Sequence, residues 1–222
     1  MTASRPLRVA VTGHRPNRLH IGVSEIHRHI DAVLAMLRAT SRAPRAIAIS
    51  ALAEGADRIF ADCALARGMR LEVLLPFASA DYETTFSDAK ATLHYRRLIA
   101  RARRVTTLPG SLTDSKAAYE AVGHATVEAA DILVAVWDGR PAAGRGGTPE
   151  IISHALARAR PVILIDAARS RLPRLVSGAH APLLIRTHTC ARAVPLSARA
   201  LATLSSRRPS ARSSGLVVRQ RT

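Results

Sequence analysis

The sequence predicts an α/β domain over residues 1–168. It would be a doubly wound parallel sheet of about six strands with helices on both faces, followed by an irregular extension over 169–222. Short apolar runs alternate with segments of helical spacing from residue 7 to residue 166. Those runs are also continuously apolar rather than half-polar, the pattern of strands buried on both faces.

Each element has its own reason. "LRVAVTG" (7–13) is a short apolar run closed by glycine, and "VSEIHRHIDAVLAMLRA" (23–39) sets Ile26, Ile30, Val33, Leu34 and Leu37 at helical spacing. "AIAIS" (46–50) is the second strand, and Gly68 stops the second helix, 55–68. "LEVLLP" (71–76) ends at proline, and a helix in one or two pieces covers 81–102. Strand 104–109, helix 115–130, strand 132–139, a helix opening at Thr148 and strand 161–166 complete the set. Beyond Asp166 the period is lost, and scattered Pro, Ser and Arg predict a poorly ordered tail with short strands at most at 183–185 and 216–218. A frameshift near codon 168 would produce such a tail, and an intact α/β continuation in another reading frame would support it.

The net charge of +17 invites a nucleic-acid reading. Its distribution argues for composition bias instead. Residues 169–222 hold eleven Arg and no acid, leaving 22 basic against 16 acidic residues in 1–168, and Lys90 and Lys116 are the only lysines. No run reaches the roughly 18 apolar residues of a membrane span, no secretory leader is visible, and Cys63 and Cys190 offer no disulfide framework. A cytoplasmic protein with no cofactor and no metal is expected. His27 and His29 point to opposite sides of a helix and share no ion.

In a parallel sheet of this kind, ligands bind outside the carboxyl ends of the strands. The first such loop, "TGHRPNRL", offers Gly13 for a sharp turn, His14 to donate or accept, and Arg15 as a fork for phosphate. It is not a G-x-G-x-x-G fingerprint, which disfavours a dinucleotide dehydrogenase. The second, "SALAEGAD", brings Ser50, Glu54, Gly55 and Asp57; Asp57 reads as a helix-start partner or as a ligand group. The fifth, "VWDGRPAAGRGGTPE", closes on Asp138 and sets Gly144, Gly146, Gly147 and Thr148 ahead of a helix. A helix start receives anions on its backbone N–H groups, and Thr148 either caps it or bonds a phosphate oxygen. Carboxylates beside a phosphate cradle suit ribose hydroxyls, or positive charge developing at C1′ as a glycosidic bond breaks. His154, Trp137, Tyr82 and Tyr119 read as helix-surface or packing residues.

"VTGHRPNRL", "SALAEGADRIFADCALARG", "LEVLLPF", "AYEAVGHATVEAADILVAVWDG" and "GRGGTPEIISHALARARPVILID" resemble the bacterial GHR-type branch of the SLOG superfamily. That superfamily takes its name from the SMF/DprA proteins of DNA uptake and the Lonely Guy (LOG) enzymes. The likeness covers about 7–166 and implies a Rossmann-like domain that binds a nucleotide or nucleotide derivative. LOG enzymes hydrolyse the N-glycosidic bond of nucleoside monophosphates and carry P-G-G-x-G-T-x-x-E. Gly144, Gly147 and Thr148 match that signature; Arg145 replaces its second glycine, and Ile151 stands where it has Glu, with Glu150 one residue earlier.

The expectation is therefore a protein that binds or senses a nucleoside phosphate, NAD or ADP-ribose type of ligand. The alternative is a LOG-like phosphoribohydrolase with Glu150 as catalytic carboxylate, and the second alternative is DNA binding of the DNA-uptake kind. Relatives of this sort commonly dimerise through helices, so a second copy is a candidate partner.

Overall fold

The structure, a computed structural model, describes residues 5–41, 43–141, 145–177 and 194–205. The expected strands at 183–185 and 216–218, and Gly144 of the expected cradle, lie outside the described residues.

The chain runs β1 (Leu7–Gly13), a 3₁₀ turn (Pro16–Arg18), α1 (Val23–Thr40), β2 (Ala46–Ser50), α2 (Ala56–Ala66) and β3 (Arg70–Leu75). It continues with α3 (Ser79–Glu83), α4 (Ala89–Arg101), β4 (Arg104–Thr107), α5 (Ser115–Glu128), β5 (Ile132–Trp137), α6 (Thr148–Ala157) and β6 (Val162–Asp166). The helical stretch after β3 breaks in two because Asp88 starts a new helix, its carboxylate accepting from the Ala91 amide at 2.7 Å. β3 stops one residue before Pro76, which has no N–H to give a ladder.

One sheet takes the order β4-β3-β2-β1-β5-β6, with all five of those pairings parallel. Its strands are apolar on both sides because both sides are covered. In β5, Ile132, Val134 and Val136 join the core under α1 and α2, while Leu133, Ala135 and Trp137 join the core under α6. Each aliphatic side chain so buried contributes about 1.5–3 kcal/mol relative to exposure. β4, at the edge, is exposed along its whole length and correspondingly polar.

The sheet does not end near residue 168. β7 (Arg174–Val176) pairs antiparallel with β6, β8 (Val194–Pro195) pairs antiparallel with β7, and α7 (Ala198–Ser205) buries Leu201 in the α1–α2 core. These pieces are too short to establish a period in an Arg-rich segment. Among the described residues no helix is long and apolar enough to cross a membrane.

Candidate functional site

The order of the strands places a crevice. After β1 the chain fills the sheet outward through β2, β3 and β4, then returns to the other side of β1 with β5. The carboxyl ends of β1 and β5 thus diverge into loops running opposite ways, the position where such sheets accept ligands. A pocket of about 400 Å³ lies there, lined from the β1 end, the β2–α2 loop, α5 and the start of α6.

The β1 loop is fixed from both sides. The His14 amide donates to the Val136 carbonyl at 3.1 Å, and the His14 carbonyl accepts from the Ala56 amide at 3.1 Å. Gly55 makes that approach possible: its φ is +94°, and a Cβ there would meet the His14 carbonyl oxygen at 2.5 Å. The His14 ring, almost wholly buried, bonds Asp138 Oδ1 through Nε2 at 2.9 Å and faces Thr148 Oγ1 through Nδ1 at 3.5 Å. Asp138 is shut off from solvent and takes Arg18 Nε and Nη2 at 2.8 and 2.6 Å, plus the Arg140 amide at 3.0 Å. Burial alone would push this carboxyl up, but the Arg140 amide, Arg18 and His14 together hold it down at about 2. For His14 burial is the larger effect, and its pKa falls below 6.5 despite the hydrogen bond and charge of Asp138.

The β2 loop supplies a second carboxyl. Asp57, second residue of α2, lines the pocket while only 5% exposed, and burial pushes its pKa up to about 7. The Ser50 hydroxyl, donating at 3.3 Å, the Ala51 and Ala53 amides and the charge of Arg15 oppose that rise without cancelling it. Ser50 itself is fully buried behind Asp57 and holds the loop by accepting from the Leu52 amide at 3.0 Å.

At the third loop, Gly147 is the residue before α6 and Thr148 the first helical residue, with no side-chain cap. Thr148 therefore does not cap the helix; its hydroxyl turns to His14 instead. Gly146 takes φ +76°, and a Cβ there would strike the Glu120 amide at 2.6 Å. Arg145 pairs with Glu120 at 2.7 Å.

Of the expected site residues, Gly13, His14, Arg15, Asp57, Gly146, Gly147 and Thr148 meet in the pocket lining. Three of the candidate carboxylates, Asp138, Glu54 and Glu150, bond protein groups. Asp138 holds His14 and Arg18; Glu54, nearly buried, accepts from the Ser87 amide at 2.6 Å; Glu150, exposed, accepts from the Gly146 amide at 2.6 Å. The physical reason is shared: each stands within hydrogen-bond reach of a backbone or side-chain donor of the protein.

Sequence reading missed Arg18, Lys116 and Arg145, which add positive charge to the lining. Lys116, one of two lysines in an arginine-dominated chain, was the one visible signal. Tyr82 and Tyr119 line the pocket while packing with Phe77, and burial raises the Tyr82 hydroxyl. His154 stacks on His124, ring centroids 3.9 Å apart, away from the pocket lining. Among the described residues no three His, Cys, Asp or Glu side chains are grouped to hold a metal ion.

The fold and this crevice define a Rossmann-like α/β domain of the kind that carries its ligand site at a topological switch point. No protein-family model matches the chain, and neither does any curated protein. Solved structures do. DNA processing protein A from Helicobacter pylori, known for a single-stranded DNA binding mode, aligns with a TM-score of 0.55 at 15% identity, over 90% of this chain and 80% of its own. DNA processing protein A (DprA) from Streptococcus pneumoniae gives 0.54 at 16% identity, over 90% and 61%. The protein TM1055 gives 0.45 at 14%, over 70% and 72%. The two DprA likenesses establish a shared fold, and that fold agrees with the SLOG resemblance in the sequence.

Proposed function

We propose that this protein binds a small nucleotide or nucleotide derivative, of the nucleoside phosphate, NAD or ADP-ribose type, at the carboxyl ends of β1, β2 and β5. One observation carries the reading: a single pocket joins Arg15, Lys116 and Arg145 to the start of α6, with the Asp57 carboxyl in the same lining. Cations and helix-start amides suit phosphate oxygens, and a carboxyl among them suits the hydroxyls of a ribose. A volume near 400 Å³ lies within the range of small-molecule sites. DNA binding is the second reading, favoured by the +17 charge and by the single-stranded DNA binding mode of the Helicobacter pylori neighbour. Hydrolysis of an N-glycosidic bond is the alternative activity of the same pocket.

A thermal-shift screen of the full chain against nucleoside monophosphates, NAD, ADP-ribose and cyclic relatives tests this. A ligand at a hundred times its dissociation constant adds about 2.7 kcal/mol, hence roughly 5–11 °C for a chain this size. The shift should shrink in Arg15→Ala and in Thr148→Ala. Folded protein that shifts with none of these ligands refutes the small-nucleotide reading. Single-stranded DNA binding that weakens steeply with salt would then favour the second.

A further inference from the structure

Asp138 bonds His14 from behind the pocket, and His14 meets Thr148 in its lining, though 124 and 134 positions separate the two later residues from His14 in the chain. Asp138 cannot turn away, because both its oxygens are engaged by Arg18 and one also by the Arg140 amide. A carboxylate accepts, so Nε2 of His14 carries the hydrogen and the lone pair stands on Nδ1. Nδ1 faces Thr148, the first residue of α6, and both His14 and Thr148 line the pocket. A base oriented by a third group, its other nitrogen meeting the Thr148 hydroxyl in the lining of the pocket, is the arrangement of acid–base catalysis.

We propose that His14 is a general base, oriented by Asp138, and that this pocket hydrolyses a phosphoester or phosphoanhydride bond of its ligand. The inference rests on the nucleotide reading above and adds a reaction to it. The electrophile follows from position, since Nδ1 meets Thr148 at the start of α6, a helix end that suits a phosphoryl group. Water oxygen bonds to phosphorus, and a water proton passes to His14 Nδ1. The bond from phosphorus to the leaving oxygen breaks, that oxygen keeps the electron pair, and the imidazolium returns the proton to it. Arg15 and Lys116 balance the charge on the phosphoryl oxygens, while Asp138 steadies the imidazolium.

The charged groups around His14 keep the base available. Burial, Arg18 and His20 disfavour the imidazolium while Asp138 favours it, and the balance lowers the pKa of the ring from its ordinary value. Asp138 is a positioning residue here and His14 the catalytic one.

The test uses the full chain with ADP and AMP as probes, following inorganic phosphate and free adenine, and thermal shift for binding. The expected result is phosphate release whose kcat falls about 100-fold or more in His14→Gln, with KM changed little. The wild-type rate should rise with pH to a plateau through a midpoint below 6.5, and the variant should lose that limb. Asp138→Asn should lower kcat and move the midpoint. His14→Asn replaces His14→Gln if the latter fails to fold. Nucleotide binding without phosphate release overturns the inference and leaves the binding reading standing. Release undiminished in both His14 variants, or release of adenine in place of phosphate, also overturns it. A folded protein that binds neither probe nor any other nucleotide removes the binding reading and this inference together.

Discussion

The two walls of the pocket are built to different standards. On one, His14, Asp138 and Arg18 join the ends of β1, the 3₁₀ turn and β5, with the Asp138 side chain 0% and His14 5% exposed. On the other, the loop before α6 is tied by Arg145 to Glu120 and by the Gly146 amide to Glu150, and Arg145 is 67% exposed. Buried charges are held hard because losing one partner strands the other. Exposed pairs are worth little and yield to competing ions. The lesson is a division of labour: the buried wall is preset by its ion pairs, and the exposed wall is held only by pairs that a competing ion can displace.

The sharpest way to break that contrast is Asp138→Ala. It should cost about 3 kcal/mol, at the low end for a broken buried ion pair because Arg18 keeps some solvent. Chemical denaturation at pH 7 measures it. A loss below ~1 kcal/mol would mean the two walls are equally soft. In the wild type the same pair gives a stability contribution present above pH 3.8 and lost as pH falls through about 2.

Asp57 behaves in the opposite sense. Its pKa rises from 3.8 unfolded to about 7 folded, so the contribution is full below pH 3.8 and is lost as pH climbs through 7. Asp57→Asn removes that titration. The stability of the variant relative to wild type should therefore climb between pH 4 and 7, by at most about 4 kcal/mol, and then level. Denaturation midpoints at several pH values read this directly. A flat difference would show that Asp57 titrates normally and meets water.

The fold was legible in the sequence because its signal is collective. Ten or more apolar positions repeat the same period, and a helix such as α1 announces itself through Ile26, Ile30, Val33, Leu34 and Leu37 whatever their neighbours do. The site was legible only by loop. Glycine-bearing strand ends marked where the pocket lies, and His14, Arg15, Asp57 and Thr148 line that pocket. Which way each side chain turns is a tertiary matter. Nothing local shows that Asp138 will spend both oxygens on Arg18 and His14, 120 and 124 positions away, or that Glu54 will take the Ser87 amide. β7 and β8 escaped for the reverse reason, since three- and two-residue strands carry no period.

The smallest effect sharpens the comparison most, because it separates stability from binding. Glu120→Gln removes the carboxylate that pairs with Arg145 at 2.7 Å. On an exposed pair this should change stability by less than about 1 kcal/mol. If the loop wall serves the ligand, Arg145 released from Glu120 is free for a phosphate, and nucleotide affinity should rise by a modest factor. That gain should vanish near 1 M ionic strength, where the screening length falls to about 3 Å. Titration of the same nucleotide at low and high salt measures both points. Weaker binding in Glu120→Gln would mean instead that the ion pair is the strut that shapes the cradle, and that the exposed wall is as preset as the buried one.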